Sequence, residues 1–250
     1  MPRLLPSLIP PLVLGLAGFA VLVSLGLWQL RRLEWKEGVL AQIETQIASP
    51  PVALPAHPRP PGADRMADPG DLFLSVVVQG WLTGEEVEVL VSTKDQGAGV
   101  RVISAFQTPQ GRRVLVDRGF LPETLRHGPA PGTESGGLAE YLSLVGNLNW
   151  PDEVDSYTPA PDAKTGLWFA RDVSAIAAKL GTEPVLIVAR SDTGGQIQPM
   201  PVDTAAIPND HLGYALQWFG LALVWLGMTA AYLWRITRPK TLPVQNVPED

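Results

Sequence analysis

The chain has no cysteine and only three histidines, His57, His127 and His211. Without thiols it has no disulfide, no thioether attachment of haem, no thiolate copper site and no cysteine-based zinc site. Three scattered histidines also argue against a metal site built of several imidazoles. Enzyme signatures are missing as well: there is no phosphate-binding glycine loop, no G-x-S-x-G, no H-E-x-x-H and no EF-hand loop. A non-enzymatic chain is therefore expected. Carboxylates are abundant, but none forms a recognisable acid/base pair, and Glu85-Glu86-x-Glu88 reads as a solvated turn between two strands.

Charge is absent from two long stretches, Leu4 to Leu30 and Leu212 to Trp234. At about 1.5 Å per residue the second would reach roughly 34 Å as a helix, enough for a hydrocarbon core of about 30 Å. The first stretch has an alternative reading as a secretory signal peptide, with Arg3 as its basic start and Ala17-Gly18-Phe19-Ala20 as small residues. Its apolar run continues to Trp28, past the roughly 7–15 residues of a signal core, which favours a retained anchor. Pro6, Pro10 and Pro11 are tolerated best at a helix start, so the helix is expected to begin near Pro10.

Between the spans, residues 31–211 carry 15 Lys/Arg against 23 Asp/Glu. That acidic balance makes a poor nucleic-acid binder. Arg235, Arg238 and Lys240 follow the second span directly, and basic flanks stay in the cytoplasm. Both termini are then cytoplasmic and the middle lies outside. The first span disagrees locally, because Arg31, Arg32 and Lys36 follow it. The apolar run begins almost at once, leaving no room for an organellar transit peptide, so a bacterial inner (cytoplasmic) membrane is expected.

The expected organisation is a cytoplasmic N-terminus (1–9), a transmembrane helix (10–30), a periplasmic domain (31–211), a second transmembrane helix (212–234) and a cytoplasmic tail (235–250). Apolar residues at helical spacing predict that the first helix extends over 31–48, until Ser49-Pro50-Pro51 stops it. Seven prolines over 50–71 predict a stiff, extended connector. Strands are predicted at 72–78, 87–91, 100–106, 114–116, 142–148 and 185–189, with a hairpin turn at Gln110-Gly111. Residues 124–137 and 150–166 read as loops. Asp172 can cap, and Gly181 can close, a short helix over 173–180. The fold class is thus two transmembrane α-helices flanking a mainly-β, antiparallel, barrel-like domain with one short helix.

The second span carries two stripes about 200° apart on the helix. One is His211, Tyr214, Trp218, Leu221 and Trp225. The other is Gly213, Gln217, Gly220, Val224 and Gly227. Glycines permit close helix approach, so the second stripe is expected to pack on Gly15, Gly18, Leu22 and Gly26, leaving the His-aromatic stripe facing lipid or a partner. His211 suits an interfacial histidine behind a capping Asn209 or Asp210, or an iron ligand, since a helix N-terminus disfavours the charged ring. Trp28, Trp35, Trp218 and Trp234 suit interface anchors. Arg31 and Arg32 suit lipid phosphates or haem propionates at the same depth. Gln29 and Gln217 suit hydrogen bonds between helices.

Four ordered segments resemble the Surfeit locus protein one (Shy) family. They are Leu25-Gly26-Leu27-Trp28-Gln29-Leu30-Arg31-Arg32-Leu33-Glu34-Trp35-Lys36, Val114 to Pro122 around Asp117-Arg118-Gly119, Trp168-Phe169-Ala170-Arg171-Asp172, and Asn209 to Phe219 around His211, Tyr214, Gln217 and Trp218. The resemblance implies an assembly factor for haem-copper cytochrome c oxidase that helps deliver or insert haem a into catalytic subunit I. It implies His211 as the iron ligand, with Tyr214, Trp218, Arg31, Arg32, Trp28 and Gln29 around the cofactor. It implies subunit I and other oxidase assembly factors as partners, beside the lipid bilayer. The alternative is a haem-independent scaffold that stabilises subunit I. Arg118 and Arg171 match family positions without an assigned role; Arg171 has Asp172 and Asp117 as possible partners.

Overall fold

A computed structural model of the chain describes residues 5–65, 67–94, 96–126, 141–205 and 207–238. His127, most of the predicted loop 124–137, the first four residues and the tail beyond 238 lie outside the described residues. Backbone contacts divide the chain into two units, one of residues 1–41 with 205–250 and one of 42–204.

The first unit is built on α3 (His211–Thr237) and on α1 (Leu5–Ala48) as far as Ala41. Both are long and apolar enough to cross a membrane, with best windows of mean hydropathy 2.3 and 1.4. Only 6% of each window is buried within the chain. Core helices of water-soluble proteins bury their apolar faces, so these side chains need lipid or protein around them. As expected, α1 runs unbroken through residues 31–48. It also starts earlier than Pro10, which places Pro10 and Pro11 inside the helix. Each forfeits one bond to the preceding turn, a loss confined to the helix's first few turns.

Residues covered in α3 recur at alternating steps of four and three, as His211, Ala215, Trp218, Ala222, Trp225 and Thr229. In α1 the matching seam holds Gly15, Gly18, Leu22, Gly26 and Gln29. This spacing is that of helices crossing at a shallow angle with side chains interlocked. A Cβ on Gly18 would lie 2.5 Å from the Trp225 ring, and one on Gly26 would lie 2.6 Å from Phe219. Gly15 is covered by Thr229 in the same way. The glycines of α1 are therefore the close-approach surface. Those of α3 are not: among the described residues nothing lies within 4 Å of where a Cβ on Gly213, Gly220 or Gly227 would stand. The expected packing face of α3 is thus corrected to the one carrying His211, Trp218 and Trp225. The physical reason is visible at Trp225, whose indole Nε1–H donates to the Gly15 carbonyl at 2.9 Å. An indole N–H left bare in hydrocarbon is costly, and only a glycine surface brings a helix backbone within its reach.

The second unit centres on a six-stranded mixed sheet of β1 (Val52–Ala53), β2 (Ser75–Thr93), β3 (Gly97–Gln107), β4 (Arg113–Pro122), β5 (Tyr141–Asn149) and β6 (Leu186–Ala189), with α2 (Val173–Leu180) between β5 and β6. β2 pairs with β5 through 75–81 and with β3 through 81–93. β3 pairs with β4, β4 with β6, and β6 with β5, so the pairings run in a ring. The sheet is not purely antiparallel: β4–β6 and β1–β2 are parallel. The two strands predicted at 72–78 and 87–91 are one, because Gly84, at φ 79°, lies within a bulge between Leu82 and Glu86 rather than in a turn. The connector is also less extended than expected, since Arg59 and Asp71 bond each other through backbone and side chain and the chain reverses between them.

β4 and β6 are buried on both faces. Leu115, Leu186 and Val188 pack beneath α2, whereas Val114, Val116 and Ile187 join Val76, Phe106 and Leu148 on the other side. This explains their unbroken apolar runs. The short helix matches expectation: Asp172 accepts the Ala175 N–H at 2.9 Å, and Gly181 ends the helix at φ 63°.

The antiparallel register, with Gln29 against His211 and Gly18 against Trp225, puts Leu22 opposite Ala222. The chain has no native thiols, so Leu22→Cys with Ala222→Cys should cross-link on mild oxidation, read as a mobility shift on a non-reducing gel. Adding Gly18→Leu should push the helices apart and abolish the cross-link.

Candidate functional site

Two clusters of polar groups lie where the sequence motifs fall, one in each unit. In the helical unit, Gln29 is 9% exposed, and its Oε1 is 2.8 Å from His211 Nδ1. A carbonyl oxygen only accepts, so a hydrogen bond across this distance requires the proton on Nδ1. Seven residues along α1, the Lys36 ammonium donates to the Pro208 carbonyl. The entry to α3 is thus held by α1 at two points. Asp210, at the helix N-cap, makes no side-chain cap bond, and the buried Asn209 Oδ1 has no partner among the described residues.

Of the residues singled out in the sequence, the structure brings together His211 and Gln29. Trp218 is half-buried in the seam on the same face as His211. Tyr214 and Trp28 are 51% and 55% exposed. Arg31 and Arg32 are exposed and have no carboxylate partner among the described residues. The Arg32 guanidinium instead lies 3.9 Å above the Trp35 ring. Lys36 carries a role that sequence reasoning missed. Its position in the first motif was the only signal, and a lysine beside a charge-free span reads equally well as a membrane anchor.

In the sheet unit, Asp117 is fully buried, with the Arg101 Nε at 2.9 Å and the Arg171 Nη1 at 3.3 Å. The Arg101 N–H is not aligned on the carboxylate, so that contact is Coulombic rather than a formed hydrogen bond. Arg171 also grips Glu153. The open choice for Arg171 resolves to Asp117 and Glu153, because Asp172 is committed to capping α2. Burial pushes the Glu153 carboxyl up, but the hydrogen bonds and charge of Arg171 together outweigh it and hold the group below its ordinary range.

On the next residue, Arg118 is 3% exposed and donates to Thr193 Oγ1, the Thr193 carbonyl and the Gly194 carbonyl. Its ion pair with Glu86 is long, 3.5 Å. Burial dominates both partners: it pushes Glu86 up and Arg118 down, against their mutual attraction. The stretch expected to be a solvated turn is in fact strand, and each of its carboxylates has an arginine. Glu85 pairs with Arg113, Glu86 with Arg118 and Glu88 with Arg126. These motif residues lock strands and loops together. Among the described residues no group of three or more His, Asp or Glu side chains converges as a metal site.

The SURF1 family model matches residues 16–223. Similar proteins include Surfeit locus protein 1 of Homo sapiens, 29% identical over 225 residues, covering 84% of this chain and 72% of the relative. Surfeit locus protein 1 of Rattus norvegicus is 28% identical over 233 residues, covering 86% and 71%. A SURF1-like protein of the bacterium Rickettsia prowazekii is 28% identical over 218 residues, covering 82% of each.

Asp117→Asn leaves two largely covered guanidiniums short of a charge, so it should destabilise the sheet unit by about 3–5 kcal/mol, measured by denaturant unfolding in detergent. Glu86 behaves differently with pH. Its folded pKa is raised, so the folded state binds the proton more tightly than the unfolded chain. That contribution is full below the ordinary glutamate range and is lost as pH rises through the folded value. Glu86→Gln keeps an acceptor for Ser104 and should flatten the fall in melting temperature just above the ordinary glutamate range.

Proposed function

Because the chain belongs to the SURF1 family, we propose that it is an assembly factor for haem-copper cytochrome c oxidase, assisting the delivery or insertion of haem a into catalytic subunit I. The reading is non-catalytic. The chain would sit in a bacterial inner membrane with both termini cytoplasmic. Its sheet domain, whose ring of pairings we read as a small barrel, would be periplasmic. Subunit I and other assembly factors are the proposed partners.

The observation that supports a haem-handling role is the Gln29–His211 hydrogen bond. A metal-ligating histidine usually donates its other ring N–H to an acceptor, which fixes the tautomer and raises ligand basicity. Gln29 Oε1 is an acceptor placed for such a bond from His211 Nδ1, which would leave Nε2 as the Lewis base. The donor set also fits the rest of the group. Arg31 and Arg32 follow Gln29 within about one helical turn and would supply positive charge for propionates, with no carboxylate partner among the described residues. Trp28, Tyr214 and Trp218 supply aromatic surface. When bound, the haem would supply an iron able to accept electron density from the His211 imidazole, which would hold it. The protein's part would be to orient that imidazole and cover the macrocycle.

A haem-independent scaffold is the second reading. The uncovered Gly213, Gly220 and Gly227 face of α3 favours it, since a bare glycine face admits another helix closely without a cofactor.

Protein purified from cells that make haem a should carry it, and His211→Ala should change its visible spectrum and weaken retention. An unchanged spectrum and affinity would remove the ligand role, and purification free of haem would favour the scaffold. Deletion of the gene should cost the oxidase its high-spin haem while low-spin haem remains. Normal amounts of both haems would overturn the assignment.

A further inference from the structure

Gln29 does more than bridge two helices. Its amide is nearly buried in a seam made mostly of glycines and apolar or aromatic side chains, where an unpaired polar group would be costly. Its Oε1 faces the Nδ1 of His211 at 2.8 Å. Lys36, two helical turns along the same face, bonds the Pro208 carbonyl three residues before that histidine. The main chain entering α3 and the ring that opens it are therefore both set from α1. The imidazole has one acceptor placed against one of its nitrogens. This arrangement selects between two neutral tautomers that differ in which nitrogen can donate electrons.

We infer that Gln29 is a positioning residue that locks His211 in the Nδ1–H tautomer, so that Nε2 is presented as a ready ligand before any metal centre arrives. The inference deepens the haem reading of this site and rests on it for the ligand's identity, but the tautomer belongs to the metal-free protein. The lock removes a proton shift that binding through Nε2 would otherwise require. It also ties ligand strength to the packing of the two helices, since separating α1 from α3 removes the acceptor. Asparagine, one methylene shorter, would not span the gap, whereas glutamate presents the same oxygen at the same reach.

The test uses the full chain in lipid nanodiscs with His57→Gln and His127→Gln, leaving His211 as the one histidine, and with 15N-labelled imidazole. Without haem, at a pH where the ring is neutral, a one-bond 1H–15N signal is expected at Nδ1, and Nε2 should resonate as an unprotonated nitrogen. Gln29→Leu should move the proton to Nε2 or mix the tautomers; Gln29→Glu should restore the Nδ1 signal. Titration with haem a, followed in the visible spectrum, should show affinity about 10–100-fold lower for Gln29→Leu and recovered for Gln29→Glu. Unchanged helical circular dichroism separates these effects from misfolding. A wild-type ring protonated at Nε2, or Gln29→Leu with tautomer and affinity unaltered, would overturn the lock. A locked tautomer in a protein that binds no haem a would support the lock and overturn the haem reading.

Discussion

The close approach of two apolar helices governs the part of this molecule on which the functional reading rests. Hydrocarbon offers no hydrophobic drive for two such helices to meet, so association depends on fit and on satisfied polar groups. Here the fit is small against large. Gly15, Gly18 and Gly26 of α1 lie beneath Thr229, Trp225 and Phe219 of α3. The same seam carries two polar bonds, the Trp225 indole to the Gly15 carbonyl and the Gln29–His211 pair. Widening the seam by one methyl group would strain the packing and lengthen both bonds together. The placement of the His211 ring and the association of the helices are thus one problem with one solution.

The sheet unit solves a different problem, that of burying charge. Asp117 and Arg118 are consecutive residues of β4, with Arg118 the extra residue at a bulge opposite Val102 and Ile103, and both are buried. Each has been given a separate set of partners. Asp117 meets Arg101 and Arg171, while Arg118 meets Glu86 and the carbonyls of Thr193 and Gly194. Such pairs add little net stability relative to apolar residues, but removing one partner is expensive. With no disulfides available, these ion pairs and the apolar layers on either side of β4 hold the distant segments 101, 118, 171 and 193 in register.

Elements with a local cause were legible in the sequence. The helix over 173–180 could be read because its cap, its closing glycine and its apolar spacing lie within ten residues. The turn at Gln110-Gly111 and the extension of α1 to Ala48 could be read for the same reason. What depends on distant partners could not. Glu85, Glu86 and Glu88 look like a solvated run until the arginines at 113, 118 and 126 are brought beside them. Gly84 looks like a turn until the strand is seen to continue through it. The packing face of α3 was misassigned because both helices carry small residues at helical spacing. Sequence could not say that the indole of Trp225 needs a carbonyl that only the glycine surface of α1 exposes. At the candidate site, His211 and Gln29 were each singled out, but the bond between them spans 182 positions and has no sequence signature.

The parallel pairing of β4 with β6 has a consequence for how the chain is made. Leu115, Val116 and Asp117 take Leu186, Ile187 and Val188 as neighbours, a partner that a ribosome produces about 70 residues later. At roughly 5–20 residues per second, one edge of a highly apolar strand waits several seconds for its cover. Strand edges of that composition invite pairing with other chains. The interval between synthesis of β4 and synthesis of β6 is therefore when a nascent chain is most exposed to aggregation, and slower translation through α2 would lengthen that risk.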